Sequence, residues 1–317
     1  MSTLRASAER PPVVVVTGPT SAGKTTLAIE LALRFDGEIV NADSMQVYRY
    51  MDIGTAKPTL EQRARAPHHL IDVARPNEAY SAGRYAREAR AAAAAIHARG
   101  KLVLLVGGTG LYIRAFLEGL LDGAEADPEL RAELEAEHAS GLAAGDAERL
   151  HRRLRALDPD AAEEIHPRDV RRSVRALELC LGTGAPASER RRAHGFADRP
   201  YRSLHLALDP GHARLDARID AHCEQMLERG LLQEVRALRQ RGFGPALRPM
   251  QALGYRHLQP VVEGRTTLVA ALAEMQRDTR RFARRQRTWL RKVPDALWVD
   301  PAGLAQIEKT VEGFLSE

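Results

Sequence analysis

The sequence predicts an α/β fold: a P-loop parallel sheet with helices on both faces and an inserted all-helical domain. Strand patterns alternate with helix patterns over residues 12–120, the rhythm of a doubly wound sheet. Residues 18–25, GPTSAGKT, lie between the first strand and the first helix and fit the phosphate-binding-loop pattern of Gly, any four residues, Gly-Lys-Thr. Residues 123–200 then show helical patterns with no convincing strand, before YRSLHLALD at 201–209 returns to apolar alternation. The expected division is 1–122 for the first part of the core, 123–200 for the helical insertion and 201–317 for completion of the core.

Each element has a local reason. Val13, Val14, Val15 and Val16 form a β-branched run, and residues 25–35 place Leu27, Leu31 and Leu33 among good helix formers. EIVNAD at 38–43 reads as the second strand and ends on Asp43, at the edge where open α/β sheets place ligands. A polar loop follows through Tyr48, Asp52, Gly54, Thr55, Lys57 and Pro58, far longer than an ordinary connection. PHHLIDV at 67–73 reads as a short strand, and residues 81–99 as an Ala-rich helix capped by Ser81. Residues 101–106 are an apolar strand that runs into Gly107-Gly108-Thr109-Gly110 and a helix over 111–120.

In the insertion, Asp127 caps a helix with Pro128 at its first position; residues 141–145 break it, and further helices are expected over 146–157, from Asp158-Pro159, and over 169–181. After Asp209-Pro210-Gly211 come helices over 213–228 and 231–240, a turn region at 242–249 and a long helix over 266–292. A final strand at 296–299 and a closing helix at 303–315 complete the chain.

Composition narrows the class without naming a function. A 317-residue chain with 44% hydrophobic residues can build a large core. No apolar stretch has the length of a membrane span, and residues 1–10 are polar and too short for a signal peptide. A soluble cytoplasmic monomer with no membrane partner is expected. Cys180 and Cys223 are the only cysteines and lack a Cys or His pair at metal-ligand spacing, which points to packing roles and away from structural zinc. A net charge of +5 is compatible with a polyanionic partner.

The chemistry concentrates near the glycines. A loop of the GPTSAGKT kind, shared with nucleotide-binding and ATP-binding proteins, aims backbone N–H groups, a positive helix terminus and one ammonium at a polyphosphate. Gly18 and Gly23 allow close approach around Pro19, Thr20, Ser21 and Ala22; Lys24 reaches the outer phosphates, and the Thr25 hydroxyl is the expected magnesium ligand. Asp43 has three readings: a magnesium-coordinating acid, a general base that takes a proton from an acceptor, or a turn cap. No second acid ends the 102–106 strand, which argues against a nucleotide-hydrolysing motor. Thr109 is either the N-cap of its helix or a ligand contact across the cleft.

Arg214 and Arg218 share a helix face, and one of them could close on a leaving phosphate, although a lone exposed arginine is usually a solvated charge. Arg277, Arg280, Arg281, Arg284, Arg285, Arg287, Arg291 and Lys292 stand against one acid, Asp278, with Phe282 and Trp289 interleaved. That is either a surface helix of an arginine-rich protein or a stripe for a phosphate backbone. Arg168, Arg171, Arg172 and Arg175 form a second basic run in the insertion, and two runs flanking one core suit a nucleic acid better than a metabolite.

On these residues the chain resembles the bacterial tRNA dimethylallyltransferases, isopentenyltransferases that modify the adenosine 3′-adjacent to the anticodon. The resemblance rests on GPTSAGKT, NADSMQVYRYMDIGTAKPT, PHHLIDV, YSAGRYAREA, LVGGTGLYIRA, MQALGYRHL and RRQRTWLR, in family order, with DPELR and IHPRDVRRSVRALEL in the insertion. It implies that the P-loop holds the diphosphate of dimethylallyl diphosphate, rather than ATP, with Mg2+. The exocyclic amine of a flipped-out adenine would attack the allylic carbon as diphosphate leaves. Asp43 would hold and deprotonate that amine, while Lys24, Thr25 through magnesium, and Arg218 offset charge building on the diphosphate.

The resemblance also implies contacts with the tRNA anticodon stem-loop. These come from Asp43, Ser44, Met45 and Gln46; from Thr109, which faces the reacting pair, and Arg131; and from Asp169, Val170, Arg171, Arg172 and Ser173. They continue through Met250, Gln251, Ala252, Leu253, Gly254 and Tyr255, and through Arg284, Arg285, Gln286, Arg287, Thr288, Trp289, Leu290 and Arg291. Where the family commonly has a second arginine four residues after the position of Arg218, this chain has His222, whose charge depends on pH. The Cys/His zinc module of eukaryotic relatives is missing, so the bacterial type fits better.

Three rival readings are distinguishable. An adenylate isopentenyltransferase would share the P-loop and donor but prenylate a free nucleotide, with less use for the insertion and basic helix. A small-molecule kinase would need ATP and a compact acceptor pocket. A nucleic-acid-binding nucleotide switch would lack transfer chemistry, against which Asp43 in a full family loop argues.

Overall fold

The computed structural model describes residues 10–120, 127–194 and 198–317. The readings made for residues 1–9 and for the change of character at Gly123 lie outside the described residues. Among the latter, parallel strands β1 (Pro12–Thr17), β2 (Gly37–Asn41), β3 (His68–His69), β4 (Leu102–Gly107), β5 (Arg202–Leu208) and β6 (Leu297–Val299) form one sheet in the order β3-β2-β4-β1-β5-β6. Central β1 is flanked by β4 and β5, and Val13, Val14, Val15 and Val16 are fully buried, as a parallel strand covered on both faces requires.

The alternation of side chains along the strands sorts the core into two layers. Val13, Val15, Val103 and Leu105 pack with Tyr85 and Ile96 of the Ala82–Ala98 helix, Phe116 of Gly110–Glu118, Ile219 of His212–Glu228 and Met275 of Leu268–Leu290. Val14, Val16, Leu104 and Val106 face the other way, against Leu27 and Leu31 of Lys24–Arg34 and Ile307 and Val311 of Leu304–Ser316. Helices therefore cover both faces, which is the predicted α/β architecture.

The chain divides into two compact units, Met1–Leu117 with Pro200–Glu317, and Glu118–Arg199. The second is helical in its described residues, with helices Pro128–Ala143, Arg149–Leu157, Pro159–Glu164, Val170–Thr183 and Ala187–His194. Its core joins Leu134, Leu150, Leu154, Ile165, Val174 and Leu177. Asp127, Asp158 and Asp169 each accept a backbone N–H at a helix start, from Leu130, Ala161 and Arg172 respectively.

Several local readings change: the Pro128–Ala143 helix runs into residues 141–143, which the sequence marks as its break, and Ala187–His194 and Tyr255–Val262 are helices that the sequence reading lacks. The 67–73 strand is only the His68–His69 pair, because Leu70 and Asp72 take left-handed backbone conformations (φ 62° and 60°) that no strand continues through. The carboxylate of Asp72 is held there by Lys57 and Arg63. Beyond the long loop, Leu60–Arg65 is a helix: Thr59 accepts from the Gln62 N–H and Gln62 accepts from the Thr59 N–H, a reciprocal capping box present in the sequence but not recognised there. No helix among the described residues is long and apolar enough to cross a membrane.

Candidate active site

The P-loop leaves β1 and turns into the Lys24–Arg34 helix through Gly23, whose φ of 97° is one that a side chain would strain. Ser21 is also left-handed at φ 61°, and its hydroxyl oxygen is shielded from solvent with no hydrogen-bond partner among the described residues. No side chain caps the helix start, so its first amides are directed at whatever occupies the loop. The Lys24 ammonium donates to the carbonyls of Gly18 (3.1 Å) and Pro19 (2.8 Å). Desolvation pushes Lys24 down to about 8, partly opposed by the charge of Asp43.

Asp43 follows β2, one residue beyond Ala42. Its backbone N–H donates to Asn41 Oδ1 at 3.1 Å, and its own Oδ1 accepts from the Met45 N–H at 2.8 Å. The turn-capping role is therefore real, but it engages one carboxylate oxygen and leaves Asp43 lining the cleft. Thr109 sits after β4, where its hydroxyl accepts from the Ser44 N–H (3.0 Å) and donates to Ser44 Oγ (3.2 Å). Rather than turning back on its own helix, the threonine side chain ties the β4 glycine turn to the loop that carries Asp43.

A cleft of about 820 Å³ joins these groups. Thr20, Ser21, Gly23, Lys24 and Thr25 line one side, Asp43, Gln46 and Thr55 the next, and Arg218, His222 and Arg229 the side formed by the His212–Glu228 helix and its end. The structure separates the paired arginines: Arg214 is bound to Asp300 at 2.7 Å, whereas Arg218 lines the cleft and makes no ion pair among the described residues. His222 is half-buried, and desolvation followed by the charge of Arg229 lowers its pKa, so it stays neutral at neutral pH. No cluster of three or more metal-ligating side chains exists among the described residues. The Thr25 hydroxyl and the Asp43 carboxylate nevertheless share the cleft, a donor set that suits magnesium held mainly by phosphate oxygens and water.

The basic helix differs from its reading in sequence. The single acid of its 277–292 stretch, Asp278, is supplemented by Glu274 one turn earlier, 3.4 Å from Arg277, and across the His212–Glu228 helix, where Asp220 pairs with Arg280 and Asp216 approaches Arg284 at 3.9 Å. Asp209 takes Arg287 at 2.6 Å. Arg285, Arg291 and Lys292 are exposed and without a carboxylate partner among the described residues, and Arg285 lies over the Phe282 ring. The stripe is thus partly neutralised, and its free charge is concentrated towards the C-terminal end.

Several side chains expected at RNA turn inward instead. Arg287 and Leu290 are buried in the helix seam, and Met250 and Tyr255 are wholly buried in the core. Apolar periodicity explains the last three; Arg287 is drawn in by Asp209 and His212. In the helical unit Ser173 is buried, while Asp169, Val170, Arg171 and Arg172 begin the Val170–Thr183 helix with Arg171 and Arg172 exposed. Arg131 forms a two-pronged pair with the buried Glu178, at 2.7 and 2.8 Å, which restrains its guanidinium. Ser44, Met45, Gln46, Ala252, Leu253, Trp289 and Gln286 are partly exposed, and Gln251 and Thr288 are exposed.

One residue that braces the cleft wall, Glu234, gave no sequence signal. Glu234 accepts the N–H groups of Asp52 (3.0 Å), Ile53 (2.8 Å) and Gly54 (3.2 Å) and the hydroxyl of Tyr255 (2.6 Å). Buried Lys57 donates to Tyr48 O, Asp52 and Asp72 at 2.5–2.7 Å. Gln46 then donates to the carbonyls of Thr55 and Ala56. The long loop is therefore a rigid wall built on charge-assisted bonds.

The chain matches the family described as IPP transferase over residues 46–293. It is 49% identical over 308 residues to the tRNA dimethylallyltransferase of Desulfosudis oleivorans, covering 96% of both chains. It is 47% identical over 313 residues to tRNA dimethylallyltransferase 2 of Syntrophus aciditrophicus, covering 98% of both. Among solved structures, the full-length tRNA isopentenylpyrophosphate transferase of Bacillus halodurans is similar at a TM-score of 0.71 and 37% identity, over 97% of each chain. A eukaryotic dimethylallyltransferase acting on tRNA is similar at a TM-score of 0.80 and 31% identity, over 93% of this chain and 75% of that one.

Proposed function

The chain belongs to the IPP transferase family, and on that premise we propose that it moves the dimethylallyl group of dimethylallyl diphosphate to the exocyclic amine of the adenosine 3′-adjacent to the anticodon in tRNA. The observation that carries the chemistry is one cleft in which a P-loop, with Lys24 at its end, faces the carboxylate of Asp43. A diphosphate would seat on the first amides of the Lys24–Arg34 helix, with the lysine ammonium transferred from the Gly18 and Pro19 carbonyls to phosphate oxygen. The unpartnered Ser21 hydroxyl would gain an acceptor there.

The amine nitrogen forms a bond to the allylic carbon while the bond from that carbon to the diphosphate oxygen breaks and its electron pair leaves with diphosphate. Asp43 takes the proton released by the nitrogen, using the carboxylate oxygen that the Met45 N–H does not occupy. Lys24 and Arg218 stabilise the departing charge from two sides of the cleft. Magnesium, held through the Thr25 hydroxyl, would neutralise further charge on the diphosphate when bound. Thr109 sets the Asp43 loop through Ser44. Exposed Arg285, Arg291 and Lys292 supply cations for the RNA backbone on this unit, as Arg171 and Arg172 do on the helical unit. An enzyme of tRNA would work in the cytoplasm.

The test is incubation with magnesium, labelled dimethylallyl diphosphate and either unmodified tRNA or AMP, followed by nucleoside analysis. Label in tRNA adenosine is expected. Label confined to AMP would make the protein a free-nucleotide prenyltransferase, and no label in either would remove the prenyl-transfer reading.

A further inference from the structure

We propose that Gln286 is a positioning residue of the diphosphate site, clamping the P-loop to the β4 glycine turn from the basic helix. This rests on the reading of the P-loop as the donor site. The carboxamide makes two bonds in opposite directions: its Oε1 accepts from the Thr20 N–H at 2.9 Å, and its Nε2 donates to the Gly108 carbonyl at 3.2 Å. A primary amide carries an acceptor and a donor on one short rigid head, so one side chain serves both bonds. The loops that follow the paired strands β1 and β4 are thereby tied to one another beyond the end of their strand pairing by one side chain.

The surroundings are built to seat that amide. A Cβ at Gly108 would collide with Gln286 Nε2, and a Cβ at Gly110 would collide with the Trp289 ring, so two glycines of the GGTG turn make room for two side chains about one helical turn apart. One turn earlier, buried Ala283 lets the helix lie close to the core. Arg287 pairs with Asp209, just after β5, and fixes the helix on its other flank.

The bond to Thr20 falls immediately before Ser21, whose left-handed backbone turns the remainder of the loop towards its ligand. Holding the residue before that strained turn reduces the conformational freedom that diphosphate binding must otherwise remove. Gln286 therefore acts through the P-loop backbone, although it lies in a segment whose resemblance points to RNA contact.

Isothermal titration with inorganic diphosphate and magnesium, and separately with an anticodon stem-loop RNA, tests this on the full chain. Gln286→Met keeps the side chain's length and removes both hydrogen bonds; diphosphate affinity should fall about tenfold while RNA affinity stays within about twofold. Gly108→Ala unseats the same amide from the opposite side and should produce the same loss, and the double variant should lose no more than either alone. Weakened RNA binding with unchanged diphosphate affinity would overturn the proposal, as would unchanged affinity for both or full additivity of the two variants. Because the probe is diphosphate, failure of prenyl transfer leaves this result readable: the clamp and the reaction are tested separately.

Discussion

Diphosphate should bind this protein progressively more weakly as the pH rises from 8 to 9, because Lys24 must carry a proton to meet it. Burial sets the lysine at about 8 in the free protein, where its ammonium rests on two loop carbonyls. About nine-tenths of the molecules then hold the charge at pH 7 and about one-tenth at pH 9. A neighbouring diphosphate favours the charged form, so the value in the complex lies above that of the free protein. Binding therefore takes up a proton whenever the free lysine has lost it, and each pH unit above 8 costs about 1.4 kcal/mol, or about tenfold in affinity.

Between pH 6 and 7 the same residue contributes almost nothing. Calorimetry in two buffers of different ionisation enthalpy should show uptake of about half a proton by Lys24 at pH 8. Diphosphate itself titrates, so Lys24→Arg, charged throughout this range, provides the baseline to subtract. Parallel affinity curves for the two proteins between pH 7 and 9 would refute the reasoning. The linked stability effect has the opposite sense. A lysine whose pKa is depressed by folding binds fewer protons folded than unfolded, so the unliganded protein gains stability as pH rises through about 8 towards the unfolded lysine value.

Asp43→Asn should preserve the Met45 N–H bond, which an amide oxygen also accepts, and leave RNA affinity unchanged. Single-turnover transfer should fall by about 10² to 10⁴, and near-normal transfer would remove the proton-acceptor role. Glu234→Gln puts an amide NH2 among three N–H groups and a tyrosine hydroxyl, so at least one donor loses its acceptor; urea unfolding should show a loss of about 2–4 kcal/mol. A loss below about 1 kcal/mol would mean that the Asp52–Gly54 turn does not depend on this carboxylate.

The parts legible in the sequence were those written locally. The valine run of β1, the GPTSAGKT loop and the caps at Asp127 and Asp169 each depend on neighbours a few residues away, and each appears as read. Gln286 and Glu234 were illegible as positioning groups because their partners, Thr20 and Asp52, lie 266 and 182 residues away. Arg287 misled for a related reason: residues 277–292 carry one acid, Asp278, whereas the partner of Arg287 is Asp209, which arrives from the end of β5. Asp43 has three readings in sequence, magnesium ligand, base and turn cap, because its surroundings are set by distant segments as well as by its own turn. One oxygen caps the turn, and the residue as a whole faces the cleft.

The order of β1 between β4 and β5 bears on how the chain is made. Residues of β4 emerge from the ribosome about 90 residues after β1, but β5 does not follow until residue 202, after the whole helical unit has been synthesised. During that interval one edge of β1 has no strand to pair with, although its valines belong to the deepest part of the finished core. At ordinary translation rates the interval lasts about 5–20 s, long enough for the helical unit to fold on its own. A nascent chain arrested before Arg202 would present an unpaired apolar strand edge to chaperones, and one extended through Leu208 would hide it.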